Sequence, residues 1–422
     1  MKKKGTVVLL LVLIVAYFPV FAGGQGESSG SGGKAPVTLE FVQWWEEQVT
    51  PGVFRQLMDQ FESENPGIKV QLNSGPYANT KEHIITGAAT RTLPDVMGLD
   101  GSWVNELANL KAIANLSDLM KQFNYNDSDL ADQTKINGST YCIPVVNFMY
   151  VLFVNKDLLG NMAEPKTWSD FLNVTKAVTN PSKNVYGWIL PISLETPNGI
   201  QNDVMSWLWA SGGNMLKNGK ADLLNPNVKK TVQFIKDMYD AGVIAPGAFN
   251  TKEQDKAEQF RNGHVATMSG TVAFVNIIRE ANKNLNFDLI PTPVADGYTG
   301  KSGILYAYWG GGISENTKNK AEAWKLLSFL LREDINSRLS TGSNSFPGNK
   351  KSTPDYIKSD PLAAKAFKIF QNNYLINEFT GLPVAENLMR VFDEELQLTL
   401  EGKQDVDTML KKTQAEWDKV LK

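Results

Sequence analysis

Aromatic residues set beside acids mark two stretches of this chain. Trp44-Trp45-Glu46-Glu47 and Gly98-Leu99-Asp100-Gly101-Ser102-Trp103 each bring indole, carboxylate and, in the second case, hydroxyl together. Trp207, Trp209 and Trp309 stand near the glycine runs Gly212-Gly213 and Gly310-Gly311-Gly312, where a backbone can approach a ligand closely. This is chemistry suited to sugars. A pyranose offers C–H patches on its faces and hydroxyls around its edge, so a flat indole covers the first while Asp, Glu, Asn and Arg pair with the second. A buried polar group left unpaired by the wrong epimer costs roughly 1 to 3 kcal/mol, enough to sort related sugars.

Other chemistries find less support. Retaining glycosidases need two carboxylates about 5 to 5.5 Å apart, and Glu46 or Glu47 with Asp100 is the pair that a crevice could bring together. Exposed acids at strand ends are more commonly solvated. Neither His83 nor His264 lies near a G-x-S-x-G elbow, which removes the usual serine hydrolase arrangement. Cys142 is the single cysteine, so an internal disulfide is impossible, and with two histidines it cannot complete a Cys/His zinc site. Lys plus Arg is 42 against 45 for Asp plus Glu, a net charge of −3 with no basic excess for nucleic acid. Gly33-Lys34 is not a phosphate loop, because Ser28 and Ala35 stand where that pattern needs Gly and Ser or Thr.

The elements that must position these residues alternate between strand and helix. With 422 residues, 42% of them hydrophobic and 21% charged, the chain is long enough for two or three globular domains. Val37, Leu39 and Phe41 alternate as in a strand; Phe54, Leu57, Met58 and Phe61 repeat as in a helix until Asn65-Pro66-Gly67 stops it. Ile68, Val70 and Leu72 give a second strand, His83 to Arg91 a helix, and Val96-Met97 a third strand. A βαβαβ run implies a parallel sheet with right-handed crossovers. Open sheets of this kind bind ligands beyond the carboxyl ends of their strands, which is where Trp44-Trp45 and Asp100 to Trp103 fall. Adjacent strand residues face opposite ways, so the strand must end at the tryptophan pair, and one or both line the crevice. Further along, Thr167 and Asp170 form a capping box. Asn225-Pro226 starts a helix that Gly242 closes, and Ala321 to Arg332 and Val406 to Val420 are amphipathic helices.

The N-terminus reads as an export signal. Lys2, Lys3 and Lys4 precede an apolar run from Thr6 to Phe21, and Val20-Phe21-Ala22 fits signal peptidase, so residues 1–22 form a signal peptide cleaved after Ala22. The run is shorter than the roughly 20 residues that span a bilayer. Its removal takes the formal charge from −3 to −6. No cysteine follows, so there is no lipobox cysteine for lipidation, and the expected location is periplasmic. Residues 23–36, with Gly23 to Gly33 rich in Gly and Ser, read as a flexible leader.

Segments in order along nearly the whole mature chain resemble the family 1 extracellular solute-binding proteins, the sugar-capturing components of ABC importers. They are Val37 to Phe41 ending at Trp44-Trp45, Phe61 to Val70, Leu93-Pro94-Asp95-Val96, and Tyr141 to Pro144 leading to Asn155-Lys156-Asp157. Pro165 to Trp168, Phe260 to Met268, Gly311 to Ser314 and Ala321 to Trp324 continue the series. Phe153-Val154 departs from the aromatic pair common before Asn-Lys-Asp, and Cys142 replaces a small or aliphatic residue.

The resemblance implies an α/β, two-lobe periplasmic binding protein fold of the class II type, each lobe a mainly parallel sheet flanked by helices. The first lobe would hold residues 37–146 and 304–332 and the second 150–300 and 336–422, with hinge crossings at 146–150, 300–304 and 333–336. Such a protein closes around a carbohydrate and presents it to membrane permease subunits. It would act as a monomer, with no catalysis, cofactor or metal. The implied ligand positions are Trp44, Trp45, Glu46, Asp100, Ser102, Trp103, Asn147, Tyr150, Asp203, Trp207, Gly270, Trp309, Gly310 and Gly311, with Trp45 and Trp309 foremost; Trp168 and Trp324 are structural. A non-sugar solute such as a glycerol phosphate or a metal ion would call for a cation cluster or several oxygen ligands, and few of the arginines fall beside the expected cleft.

Overall fold

Alternation of Val37, Leu39 and Phe41 produces strand β1 (Val37–Gln43), after which Gly52, with φ of 85°, turns the chain into helix α1 (Val53–Glu64). That helix buries Phe54, Leu57, Met58 and Phe61 on one face. Strand β2 (Ile68–Ser74), helix α2 (Tyr77–Thr90), strand β3 (Val96–Leu99) and helix α3 (Gly101–Asn109) follow. β1 pairs in parallel with both β2 and β3. The computed structural model describes residues 36–421, so the signal segment and almost all of the Gly/Ser leader lie outside the described residues.

Two long strands carry the chain between lobes. Ser139–Asn155 and Gly303–Ile313 run antiparallel, with Tyr306 opposite Met149, Ala307 opposite Phe148 and Trp309 opposite Val146. At one end Gly310–Ile313 pairs with β3; at the other, Tyr150–Val154 pairs with Val265–Thr271, which in turn pairs in parallel with Tyr186–Trp188. The parallel ladders therefore lie in the outer parts of the sheet, and the antiparallel ones where the two long strands join the lobes.

The cores divide accordingly. Leu39 through Val146 and Tyr306 through Leu339 pack as one cluster, while apolar residues from Met149 to Leu305 and from Phe346 to Leu421 form the other lobe. Two crossings differ from the sequence expectation. Ile304 and Leu305 still pack in the second lobe, so the crossing expected at 300–304 comes slightly later, at Tyr306. The segment 333–336 is not a crossing at all: Glu333–Ser343 is a helix that buries Ile335 and Leu339 in the first lobe. Phe346–Pro347 pairs with Asn147 and Val146, and Phe346 stacks on Phe367 and Phe370 of the second lobe, but residues 348–355 return to the first lobe: Gly348 O accepts from the Ala131 amide, and the Lys350, Thr353 and Asp355 amides donate to Asp129 O, Ser337 and Thr341. The chain passes over after Asp355, where Ile357 packs in the second lobe.

Local signals shape the second lobe's helices. Thr167 and Asp170 make the reciprocal capping box of Trp168–Val178, and Asn225 accepts from the amides of Asn227 and Val228 to start Pro226–Asp240. Each such cap contributes about 1 kcal/mol. Trp168 stacks on Phe234 at 4.8 Å and Trp324 meets Tyr125 edge-on, both inside cores.

Candidate functional site

Between the lobes lies a polar cavity of about 350 Å³. Its first-lobe wall is the start of α3. β3 is buried throughout, so Asp100 is the first polar residue beyond it. It caps α3, accepting from the amide of Ser102 at 2.9 Å and its hydroxyl at 2.7 Å. Gly101 has no room for a side chain: a Cβ would lie 2.6 Å from the Tyr308 hydroxyl and 3.0 Å from Thr380 Cγ2. Tyr77, the first residue of α2, adds an aromatic ring that is 39% exposed. The ring is fixed from behind by Trp44, edge-on at 5.2 Å, and Trp103, tilted at 5.1 Å.

The second-lobe wall brings together side chains from distant segments. Lys256 Nζ, fully buried, donates to Asp203 Oδ2 at 2.9 Å and pairs with Glu253 Oε2 at 2.8 Å, while Asn202 Nδ2 donates to Glu253 at 2.9 Å. Glu253 and Asn202 line the cavity, and Asp203 sits behind them. Burial pushes the Asp203 carboxyl up from 3.8 to about 7, against the pull of Lys256. Burial opposes the charge on Lys256 too, but Asp203 and Glu253 outweigh it and hold its pKa above the ordinary lysine value. Glu253 Oε1 and Asp203 Oδ1 are buried without a partner. Tyr150 completes this wall, its ring 5.8 Å from Lys256 Nζ; burial and the nearby acids keep its phenol protonated.

Glu378 anchors the remaining piece. It accepts from Trp209 Nε1 at 2.6 Å and from the amides of Met215 and Leu216, which holds its neighbours Asn377 and Phe379 against the cavity. Asn377 donates to Tyr306 O and Gln201 Oε1. The lobes touch across the mouth, where the Gly381 amide donates to Gly101 O at 3.1 Å and Lys81 meets Glu386 at 2.8 Å. Among the described lining residues Arg390 is the one cation, facing Asp100, Glu195, Glu253 and Glu386.

Of the residues singled out in the sequence, the structure brings Asp100, Ser102 and Tyr150 to this cavity. The tryptophans differ from expectation. β1 does end before Trp44, yet both indoles of the pair turn inward: Trp45 is fully buried among Phe41, Phe54 and Trp309, and Trp44 is enclosed by Trp45, Tyr77 and Trp103. Trp103 and Trp207 are core residues as well. Indoles bury more apolar area than other side chains, and in each lobe a ring cluster is there to take them. Trp309 is nearly buried but borders a second cavity on the far side of Ala307. Glu46 accepts from the Ser74 hydroxyl away from the polar cavity, so it does not meet Asp100 as a catalytic pair. Asn147 is buried and donates to Pro347 O at 3.0 Å, serving the hinge. Asp203 is fully buried behind Glu253 and does not line the cavity. Gly270, Gly310 and Gly311 are glycines for packing: their Cβ atoms would lie 2.8 Å from Phe274, 2.2 Å from Cys142 Sγ and 2.3 Å from Leu327.

Tyr77, Glu253, Asn377 and Arg390 were not singled out by the sequence reading. Tyr77 had a usable signal, since it follows β2 directly through Gly75-Pro76, the same position relative to a strand that drew attention to Asp100. The others lie on helices and loops whose meeting depends on the tertiary fold. No three of His, Cys, Asp and Glu converge as metal ligands among the described residues, and no described helix is long and apolar enough to cross a membrane.

Comparison with known proteins extends this geometry. The sequence profile of the bacterial extracellular solute-binding proteins matches residues 56–365. The galactooligosaccharide-binding protein of Bacillus subtilis is 24% identical, over 96% of this chain and 94% of its own. Among solved structures, an ABC transporter solute-binding protein from Thermotoga lettingae bound to α-D-tagatose superposes with a TM-score of 0.74 at 20% identity, covering 92% of this chain and all of that one. The cyclic α-maltosyl-1,6-maltose binding protein of Arthrobacter globiformis gives 0.76 at 18% identity, over 92% of this chain and 99% of its own. The fold is thus the two-lobe one of these binding proteins.

Proposed function

This chain belongs to the bacterial extracellular solute-binding protein family, and we propose that its interlobe cleft captures a neutral carbohydrate and hands it to the permease of an ABC importer. The observation that carries the ligand class is the make-up of the polar cavity. Carboxylates and amides from both lobes, Asp100, Glu253, Asn202 and Asn377 among them, converge beside the rings of Tyr77, Tyr150 and Phe379. Carboxylates accept from sugar hydroxyls, amides both donate and accept, and the rings cover C–H faces. An anionic solute is disfavoured by the same arrangement. Lys256 is fully engaged by two acids, Arg390 donates to Leu194 O, and the lining carboxylates outnumber the cations.

The family supports an extracytoplasmic location. The finer reading is export by cleavage after Ala22 into the periplasm, as a monomer without enzymatic turnover. Ligand favours closure because only the closed form lets both lobes contact the sugar, and a two-state shift requires such differential affinity. A permease then distinguishes loaded from empty protein by its surface.

A thermal-shift screen against mono- and oligosaccharides, polyols and glycerol phosphates tests the assignment. A ligand at 100 times its dissociation constant stabilises the native state by about 2.7 kcal/mol. Small-angle scattering of the stabilised complex should show a smaller radius of gyration. Stabilisation by a glycerol phosphate alone, or hydrolysis of the bound sugar, would refute it.

A further inference from the structure

We infer that the ligand occupies two chambers joined at Ala307, so that this protein takes a saccharide of two or more rings in preference to a single ring. The inference rests on the carbohydrate reading above and concerns the length of the ligand. Ala307 borders both the polar cavity and a second one of about 870 Å³. The second chamber also lies between the lobes: Val49, Thr50 and Ser343 come from the first, Thr271, Phe274 and Ile277 from the second. Its floor is the pair of long strands. Ala307 stands directly opposite Phe148 in the antiparallel ladder, so the two side chains share a face, and Trp309 lies two residues further along that strand.

The two chambers differ in chemistry. The second presents the half-buried rings of Phe148 and Phe274 in a fixed orientation. Phe148 is held edge-on at 5.0 Å by Trp309, itself only 4% exposed and stacked on Trp45 at 5.7 Å with the planes 8° apart. Gly270 leaves room for Phe274, whose ring lies 2.8 Å from where a Cβ would be. Polar groups, Gln48, Glu280 and Asn344, also line the chamber. Such a chamber suits a sugar ring stacked through its C–H face, with hydroxyls directed to the polar groups.

Volume and continuity then set the length. The second chamber is more than twice the size of the first, and both are bounded by the same two lobes. A single ring held in the polar chamber would leave the larger aromatic one filled with water on closure. A second ring replaces that water with apolar contact, a gain that only a longer ligand obtains. Alanine at 307 keeps the passage open, since a larger side chain on this exposed position would divide the chambers.

The test is calorimetric titration of the mature full chain with linear series of one to three rings, α- and β-linked glucose and galactose oligomers. Expected is a series in which the two- or three-ring member binds at least about 100-fold more tightly than its monosaccharide. Ala307→Phe and Phe274→Ala should each cut that ratio by about tenfold or more. Ile277→Ala, on a residue 46% exposed, is a milder change to the same wall that guards against misfolding of Phe274→Ala, and it should lower the ratio in the same direction. A monosaccharide that binds as tightly as its oligomers, or a ratio untouched by all three variants, overturns the length assignment while the carbohydrate reading survives. If no saccharide binds and a non-sugar solute does, both fall.

Discussion

Replacing Asp203 by Asn should flatten the dependence of stability on pH. The carboxyl is fully buried behind the Glu253 wall, and burial raises its pKa from 3.8 to about 7, with Glu253 adding to the rise and Lys256 opposing it. The folded value lies above the unfolded one, so the stabilisation linked to this proton is complete below pH 4 and is lost as pH rises through 7. Between pH 5 and 6 the native state keeps the proton and the unfolded chain has released it, which makes the contribution of this group about −1.4 kcal/mol per pH unit. Asp393, buried with both carboxyl oxygens unpaired and its pKa also raised by burial, slopes the same way, as do Asp132 and Glu378. Asp132 and Glu378 keep their surroundings in Asp203→Asn and cancel in the comparison; Asp393, whose pKa the Asp203 charge also raises, is removed by making the same comparison in an Asp393→Asn background. Urea unfolding of both forms from pH 5 to 6 should give the form that keeps Asp203 a slope steeper by about 1.4 kcal/mol per unit. Parallel profiles would show that Asp203 is already ionised in the folded protein and refute the reasoning.

Three further outcomes follow from the site and hinge. Asp100→Asn should keep the cap of α3, because Asn caps as well as Asp, yet weaken saccharide binding by about tenfold through loss of a charged acceptor; calorimetry with melting as control separates the two. Tyr77→Ala should lower saccharide affinity with little change in melting temperature, whereas Trp103→Ala, a core deletion, should cost about 3 to 5 kcal/mol of stability. Gly310→Ala would bring a Cβ to 2.2 Å from Cys142 Sγ and 2.8 Å from Tyr308, and should destabilise by about 1 to 3 kcal/mol in thermal melts.

What the sequence determined by itself is what local physics decides. The alternation in β1, the helical repeat of α1 and its Asn-Pro-Gly stop depend on near neighbours, as do the capping box at Thr167 and the cap at Asn225. Asp100 was legible for the same reason: a polar residue leaving a buried strand into a helix must stand at the rim of the sheet. The ordered segments also carried the family resemblance, and with it the two-lobe fold. Tertiary structure alone decided the fate of the tryptophans, because an indole lines a crevice or fills a core according to what packs against it. Trp45 has Trp309, from the returning hinge strand, across its face. The last crossing was hidden likewise, since 333–336 became helix only where Ile335 and Leu339 found the first lobe's core. Glu253 reaches the same cavity as Asn377 and Arg390, although 124 positions of the chain separate it from the nearer of them. Their convergence is fixed by how the lobes fold back on the hinge strands, and no local pattern of residues encodes that distance.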